Sequence, residues 1–454
     1  MRARWALWLI LAAGFGAMLW LNLPGHLSVD SVLALREGRF GVRETWNPAI
    51  FGWLLGRADQ IRPGAAAVVV TSGALAFGSL AILPLLRPRT SWLAPAVALI
   101  AVGLPQLILY PAIVWKDVLF ADATLAAFVA LAFSLRRGPG RAGGFGMALA
   151  AVLIAVASLL RQNGLLIAVP AAVAIGWIHW PLGARRATTG AVAWLAVVIG
   201  LTLTINALAQ PQGAGMPDEA GAKGLRILQM YDIVGAAALQ PGRATPRIDR
   251  AYPAAGRQMR SAAAQLYSTE RVDTLAGDLR LNQSSYGVPR AVIQAEWLDL
   301  IRSQPGLYAR VRLGVFRQVL ATPSADRCLP VFVGVVGPAS ALADLRIPAR
   351  HDRRDQRLYN YVTWHLDTPS MSHLTFAAIA LLVAGLLLIR RQPADLVIAA
   401  MMAAALGFTA SFFVISIACD YRYLYVLDLS AITGLLYLAL DPRIRPRSAA
   451  RSVV

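Results

Sequence analysis

Acidic residues are scarce in this chain. Asp and Glu number 24 in 454 residues, against 43 Lys and Arg, for a formal net charge of +19. All charged residues together make up 15%, while hydrophobic residues reach 57%. Soluble globular domains run near about a quarter charged, so this composition excludes an ordinary water-soluble enzyme. Lysine is nearly absent: Lys116 and Lys223 are the two in the chain, and arginine supplies the remaining positive charge. Cysteine is limited to Cys328 and Cys419, with no metal-binding spacing. The sequence also has no P-loop, no dinucleotide fingerprint, no HExxH and no nucleophile elbow. Their absence argues against ATP-driven transport. A basic balance can serve nucleic acid. Here the arginines fall in short clusters between apolar runs, which points to a membrane surface and not to nucleic acid.

What is present is apolar length. Mean hydropathy is +0.56, and a helix needs about 20 apolar residues to cross the hydrocarbon core. Ten segments qualify: 5–23, 64–86, 91–110, 118–135, 145–160, 164–180, 190–209, 373–389, 394–417 and 423–440. The fourth, fifth and sixth are short and are expected to tilt or to be partly re-entrant. Backbone groups inside lipid must be satisfied internally, so the expected fold is an all-α polytopic membrane bundle of about ten spans. The first run, with Arg2 and Arg4 before it, is expected to stay as an uncleaved helix. With the N-terminus in the cytoplasm, the inside segments hold Arg2, Arg4, Arg87, Arg89, Arg136, Arg137, Arg141, Arg185, Arg186, Arg390 and Arg391, and a tail with Arg443, Arg445, Arg447 and Arg451. Their acids are Asp395 and Asp441 at helix ends. This bias predicts both termini inside an inner (cytoplasmic) membrane.

Three parts are then expected: a transmembrane module over 1–209 that includes a first outer loop at 24–63, an outer segment over 210–372, and a C-terminal module over 373–454 with a basic tail. The outer segment has a Pro/Gly-rich edge, "QPQGAGMPDEAG". It is expected to be mostly helical. Residues 290–320 show helix-like apolar spacing that breaks at Pro305. No internal repeat is seen, which counts against inverted-repeat transporters.

The unusual polar residues all fall on the expected outer face. In "HLSVDSVLALREGRFGVRETWNP", Asp30 follows the first span, and "VLALREGRF" is expected to lie as a surface helix. A carboxylate at a membrane boundary needs a partner or a task, although "SVDS" also suits a helix cap. Glu37 and Glu44 are expected on a solvated face. In "YPAIVWKDVLF", Lys116 is a donor suited to phosphate, and Asp117 at a helix start suits either the dipole or function. Arg161 and Gln162 interrupt an apolar run; such an arginine either snorkels or reaches an anion. In "CDYRYLYVLDL", Arg422 sits beside Asp420 and Tyr421, Tyr423 and Tyr425 suit an interface belt, and Asp428 should face the interior. Carboxylate and cations at membrane level suit a lipid phosphate: cations hold it while the acid takes a proton from a nucleophile.

This layout resembles the GT-C membrane glycosyltransferases, the superfamily of protein O-mannosyltransferases and lipid A aminoarabinose transferases. The resemblance rests on "LSVDSVLALREGRFGVRETWNPAIFGWLLG", on "WKD" and on "YRY". It implies an inverting transfer of a sugar from a polyprenyl-phosphate donor to a glycan, lipid or protein acceptor on the outer face of the bilayer. Asp30 would be the catalytic carboxylate and Asp117 a second-loop acid. Lys116, Arg161 and Arg422 would bind the donor phosphate, with Glu44, Asn47, Gln162 and Tyr421 in support. Many relatives have His-Pro-Pro where this chain has Asn47, Pro48 and Ala49, and an acidic pair where it has Asp30 and Ser31. Some relatives use a divalent metal; no residue here forces one, and no other cofactor is implied. The outer segment would choose the acceptor, with 357–365 as a contact surface.

A transporter or lipid flippase is the main alternative, with Asp122 and Asp428 as its mid-span charges. A glycan polymerase or ligase using a lipid diphosphate is another. Cys328 and Cys419 both fall on the expected outer side, where they could pair.

Overall fold

The computed structural model describes residues 1–45, 47–138, 140–210, 220–278, 281, 287–323 and 327–443. Trp46, the Pro/Gly-rich stretch 211–219 and the tail residues Arg445, Arg447 and Arg451 lie outside the described residues. The chain is 78% helical, and no strand occurs among the described residues.

Nine helices among the described residues are long and apolar enough to cross a membrane, and the chain reads as a multi-pass membrane protein. In the N-terminal half they are α1 (Arg2–Asn22), α4 (Ala66–Ile82, extended to Leu86 by a 3-10 turn), α7 (Lys116–Arg137), α8 (Arg141–Leu160), α9 (Ala168–His179, with 3-10 turns at either end) and α10 (Ala184–Ala209). In the C-terminal half they are His373–Arg390, Pro393–Ile415 and Tyr421–Leu440. Two short helices, α2 (Val29–Phe40) and α3 (Ala49–Ile61), lie between α1 and α4.

The expected third span is broken. Helices α5 (Leu93–Val102) and α6 (Pro105–Ile108) belong to segments that meet at 71°. Pro105 lacks an amide donor and drives the preceding Leu104 into extended backbone, φ −76° and ψ 146°. The three spans expected to be short are of full crossing length, with 22, 20 and 19 residues. The break therefore falls in the third span and not in the fourth to sixth.

Two compact units share the chain. The first comprises residues 1–216, 331–408 and 424–454; the second comprises 217–330 and 409–423. The stretch 210–372, read from sequence as one outer segment, is thus divided between them.

At the centre of the first unit is α7, with 89% of its most apolar window buried, beside Tyr421–Leu440 with 83%. Its run of Ala121, Ala123, Ala126, Ala127, Ala130 and Ala132 keeps its surface thin. Small side chains let membrane helices approach closely, where dispersion replaces the hydrophobic effect. By contrast α10 is 11% buried in its window, so most of its Leu, Val and Ile side chains face outward, as a lipid-facing helix requires.

The second unit is built on Ala220–Leu239, Pro253–Leu266, Arg290–Ser303 and Pro305–Ala321. Pro305 separates the last two, as its spacing predicts. Tyr231, Ile233, Met259, Ile293 and Val315 form its core. Cys328 and Cys419 are joined in a disulfide, with Cα atoms 5.0 Å apart. The pairing expected from their common side is met.

Candidate functional site

The segment after α1 is built to hold a fixed shape. Gly41 ends α2 in the left-handed conformation, φ 65°, which costs a residue without a Cβ little. The chain then returns through 42–48 into α3. Helices α2 and α3 meet through glycine: a Cβ on Gly38 would stand 2.7 Å from the Gly56 amide nitrogen. Arg39 grips Asp59 through two hydrogen bonds of 2.7 and 2.6 Å. Burial alone would raise the Asp59 carboxyl. Arg39 and the Gly64 amide overcome that and hold it below the usual carboxylate range.

The start of α2 is stitched to the segment before α7. The Ser31 hydroxyl donates to the Val114 carbonyl. The Trp115 indole donates to Ser28 Oγ at 3.0 Å. Residues 26–27 pair with Ile113 and with Val335 in short parallel bridges, and Val335 pairs with Arg350. His26 is buried at this junction. Its Nδ1 accepts from the Gly334 amide at 2.9 Å, and its Nε2 lies 3.0 Å from Asn22 Oδ1.

Within this frame five of the residues singled out by sequence are linked. Asp30 lies in the first turn of α2 with an exposed side chain. Its backbone carbonyl accepts from Asn47 Nδ2 at 3.2 Å. The Lys116 ammonium donates to Asn47 Oδ1 at 3.2 Å. Asp117 follows at the start of α7, buried, and forms an ion pair with Arg161. Asn47 thus joins the Asp30 backbone to the Lys116 ammonium, and Asp117, next in sequence, holds the Arg161 guanidinium.

Other expected residues stand elsewhere. Glu44 is half exposed and pairs with Arg36, as a surface charge should. Gln162 is exposed in the turn between α8 and α9. Tyr421 and Arg422 belong to the second unit. Tyr421 is buried there, its amide donating to the Cys328 carbonyl at 2.8 Å. Arg422 pairs with Asp420 at 3.0 Å. Asp428 faces the interior as expected, 2.8 Å from His373 Nδ1. Asp122 is buried and accepts from the Ser72 hydroxyl.

Glu37 corrects the sequence reading. It was expected on a solvated face, but it is 7% exposed. Its Oε1 accepts from the amides of Glu44, at 2.6 Å, and Thr45. Helical spacing places Glu37 on one face of α2. It gives no sign that the returning chain covers that face. Glu37 therefore clamps the loop that ends at Asn47. His26, Ser28 and Trp115 were also missed, because each works through a partner remote in sequence.

No group of three or more His, Cys, Asp or Glu side chains that could hold a metal occurs among the described residues. Around Asp30 the linked neighbours are an amide, an ammonium and a carboxylate already gripped by arginine. With Asp30 the set carries two carboxylates against two cations, and among the described residues it gathers no group of ligands that fits a divalent ion.

No protein-family model matches the sequence, and comparison with curated proteins finds no match. Among solved structures, the chain is similar to the crystal structure of the Archaeoglobus fulgidus oligosaccharyltransferase complex with Zn and sulfate, at 15% identity and a TM-score of 0.41. The likeness covers 95% of this chain and 48% of that one, so the chain spans about half the length of that protein. A TM-score this low carries no argument about function.

Proposed function

We propose that this chain is an integral membrane glycosyltransferase of the GT-C type. It moves a sugar from a polyprenyl-phosphate donor to an acceptor at the outer face of the membrane, with both chain termini on the cytoplasmic side. One observation carries the reading: Asn47 joins the backbone of Asp30 to the ammonium of Lys116, and the Asp117–Arg161 pair follows directly on α7. The arrangement supplies a base and two cations where the sequence supplies few charges.

In this reading the acceptor hydroxyl donates its proton to the Asp30 carboxylate as its oxygen attacks the anomeric carbon. The bond from that carbon to the phosphate oxygen breaks, and the configuration inverts. Negative charge grows on the departing lipid phosphate, and Lys116 and Arg161 stabilise it. Asp117 aims Arg161, and Asn47 sets Lys116 at a fixed distance from Asp30. Glu44 and Gln162 are supporting polar side chains in this reading. No step is routed through a metal, since the donor set does not fit one.

The test is sugar transfer by the purified protein, supplied with polyprenyl-phosphate-linked sugars and a glycan or lipid acceptor. Asp30→Asn should abolish transfer while leaving the protein folded; wild-type transfer by Asp30→Asn overturns the proposal. A transporter or flippase is the second reading. It is favoured by Asp122 and by the His373–Asp428 pair, buried among the spans where charge is costly. Vesicle uptake or lipid scrambling that persists in Asp30→Asn and is lost in Asp428→Asn would favour it.

A further inference from the structure

The far end of α7 carries a second charged cluster that sugar transfer does not use. Along about 30 Å of helix, α7 leads from Asp117 to Arg136 and Arg137 in its last turn. Beside that turn, Arg87 and Arg390 are both buried and share the single carboxylate of Asp395. Asp395 is saturated. It accepts from both guanidinium groups, from Tyr437 Oη at 2.9 Å and from the Gln392 amide at 3.0 Å. Arg87 also donates to Gln392 at 2.6 Å and lies over the Tyr437 ring at 4.7 Å. Among the described residues its buried Nε has no acceptor.

Positive charge then accumulates outward. Arg4 donates to the Arg87 carbonyl at 2.9 Å, to the Pro88 carbonyl at 3.3 Å and to Thr90. Arg136 is exposed and lies within electrostatic range of Arg87, Arg137 and Arg4. Among the described residues, neither Arg4 nor Arg136 has a carboxylate in ion-pair range. Besides Asp395, Arg390 donates to the backbone carbonyl of Asp441. Two buried guanidinium groups thus share one saturated carboxylate, while Arg4 binds the Arg87 backbone and Arg136 stands in electrostatic range beside them. Removing such charge from water without a counter-ion is costly.

The place names the missing anion. Trp5 and Trp92 flank the cluster in sequence and are 61% and 63% exposed. Exposed tryptophans at span ends mark headgroup level. At that depth the available anion is a lipid phosphate, and arginine binds it through two parallel donors. We propose that Arg4, Arg87 and Arg136 form a headgroup site for an anionic glycerophospholipid. Arg136 and Arg4 contact the phosphate, and the buried Arg87–Asp395–Arg390 group holds them on a rigid base.

The experiment is native mass spectrometry of the full-length protein in detergent, titrated with dioleoyl phosphatidylglycerol or dioleoyl phosphatidylcholine. The wild type should retain phosphatidylglycerol about tenfold more strongly, and the Arg4→Gln/Arg136→Gln double variant should lose most of that preference. Arg185→Gln/Arg186→Gln removes the same charge from exposed positions elsewhere and should keep the preference. Arg136→Gln alone changes an exposed side chain and should show a partial loss if the double variant fails to fold. The proposal is overturned by a wild type indifferent to headgroup, by an Arg136→Gln variant that binds as the wild type does, or by a control variant that loses as much as the site variant.

Discussion

The amide of Gly334 donates to Nδ1 of His26 at 2.9 Å, across 308 positions of sequence. That nitrogen therefore carries no proton, and the ring is neutral with its hydrogen on Nε2 facing Asn22 Oδ1. Asp355 lies 3.6 Å away, close enough to suggest an ion pair, but its carboxylate is taken by Arg350 at 3.1 Å. Burial, aided by Arg350 and Arg354 and opposed by Asp355, lowers the imidazole from its ordinary 6.5 to about 3.

Acid should therefore loosen this junction. The unfolded chain takes a proton on His26 below pH 6.5, whereas the folded chain resists it to about pH 3. The contribution is complete above pH 6.5 and is lost as pH falls through that window, on the order of 5 kcal/mol in full. Melting in detergent should fall between pH 7 and pH 4.5. His26→Gln should melt lower at pH 7 and lose that part of the pH dependence. Equal pH slopes for the two proteins would refute the role.

Glu37 should matter for transfer although it touches no proposed substrate. Its carboxylate holds the amides of Glu44 and Thr45, two residues before Asn47. Truncation leaves two partly buried donors without their charged acceptor, a loss of about 2–3 kcal/mol. Displacing Asn47 by about 1 Å would cost on the order of 100-fold in rate. Glu37→Ala should show that loss, and Glu37→Gln, which keeps the acceptor oxygen, should recover part of it. Full transfer by Glu37→Ala would remove Glu37 from the site.

The two Glu residues of this loop show what the sequence could reveal. Glu44 and Glu37 read alike, yet the first faces water beside Arg36 and the second is covered by the returning chain. The spans were legible because apolar length is a local property. The break at Pro105 has a local signal in "GLPQ" as well, but a single apolar run masked it. The helix "AIFGWLLGRADQI" was not separated from the loop, since its apolar stretch is too short to span. Asp30, Lys116, Asp117 and Arg161 stood out as polar residues at span ends, and Asn47 through the family resemblance alone. Their linkage through Asn47 had no sequence signal, and neither did the pairing of His26 with Gly334.

Asp117 and Arg161 should behave as one unit in transfer. Arg161→Ala should slow transfer by removing a phosphate cation. Asp117→Asn should slow it too, because Arg161 loses the carboxylate that aims it. If the carboxylate acts through the guanidinium, the double variant is no slower than Arg161→Ala alone. Multiplicative losses in the double variant would instead give Asp117 its own part in catalysis. Exogenous guanidine restoring Arg161→Ala but not the double variant would give the same answer by another route.

In the second unit, Arg312 and Asp232 form a fully buried ion pair at 2.8 Å. Arg312 also donates to the carbonyls of Val414 and Ser416, at 2.8 and 3.0 Å, and Trp297 donates to Asp232 at 2.8 Å. Burial outweighs these partners and raises the Asp232 carboxyl to about 6. A raised carboxyl favours the fold at acid pH, and that contribution is lost as pH rises through about 6, the opposite sense to His26. Removing Arg312 alone strands a buried charge, at a cost of about 3–5 kcal/mol. Arg312→Met should therefore lose hydrogen-exchange protection in 290–321 at pH 8 and regain some of it at pH 5, where Asp232 takes up a proton. Asp232→Leu/Arg312→Met should be less disturbed than Arg312→Met, because no lone charge remains. Equal protection in the two variants at pH 8 would mean that the backbone bonds of Arg312, and not its pairing with Asp232, hold this core.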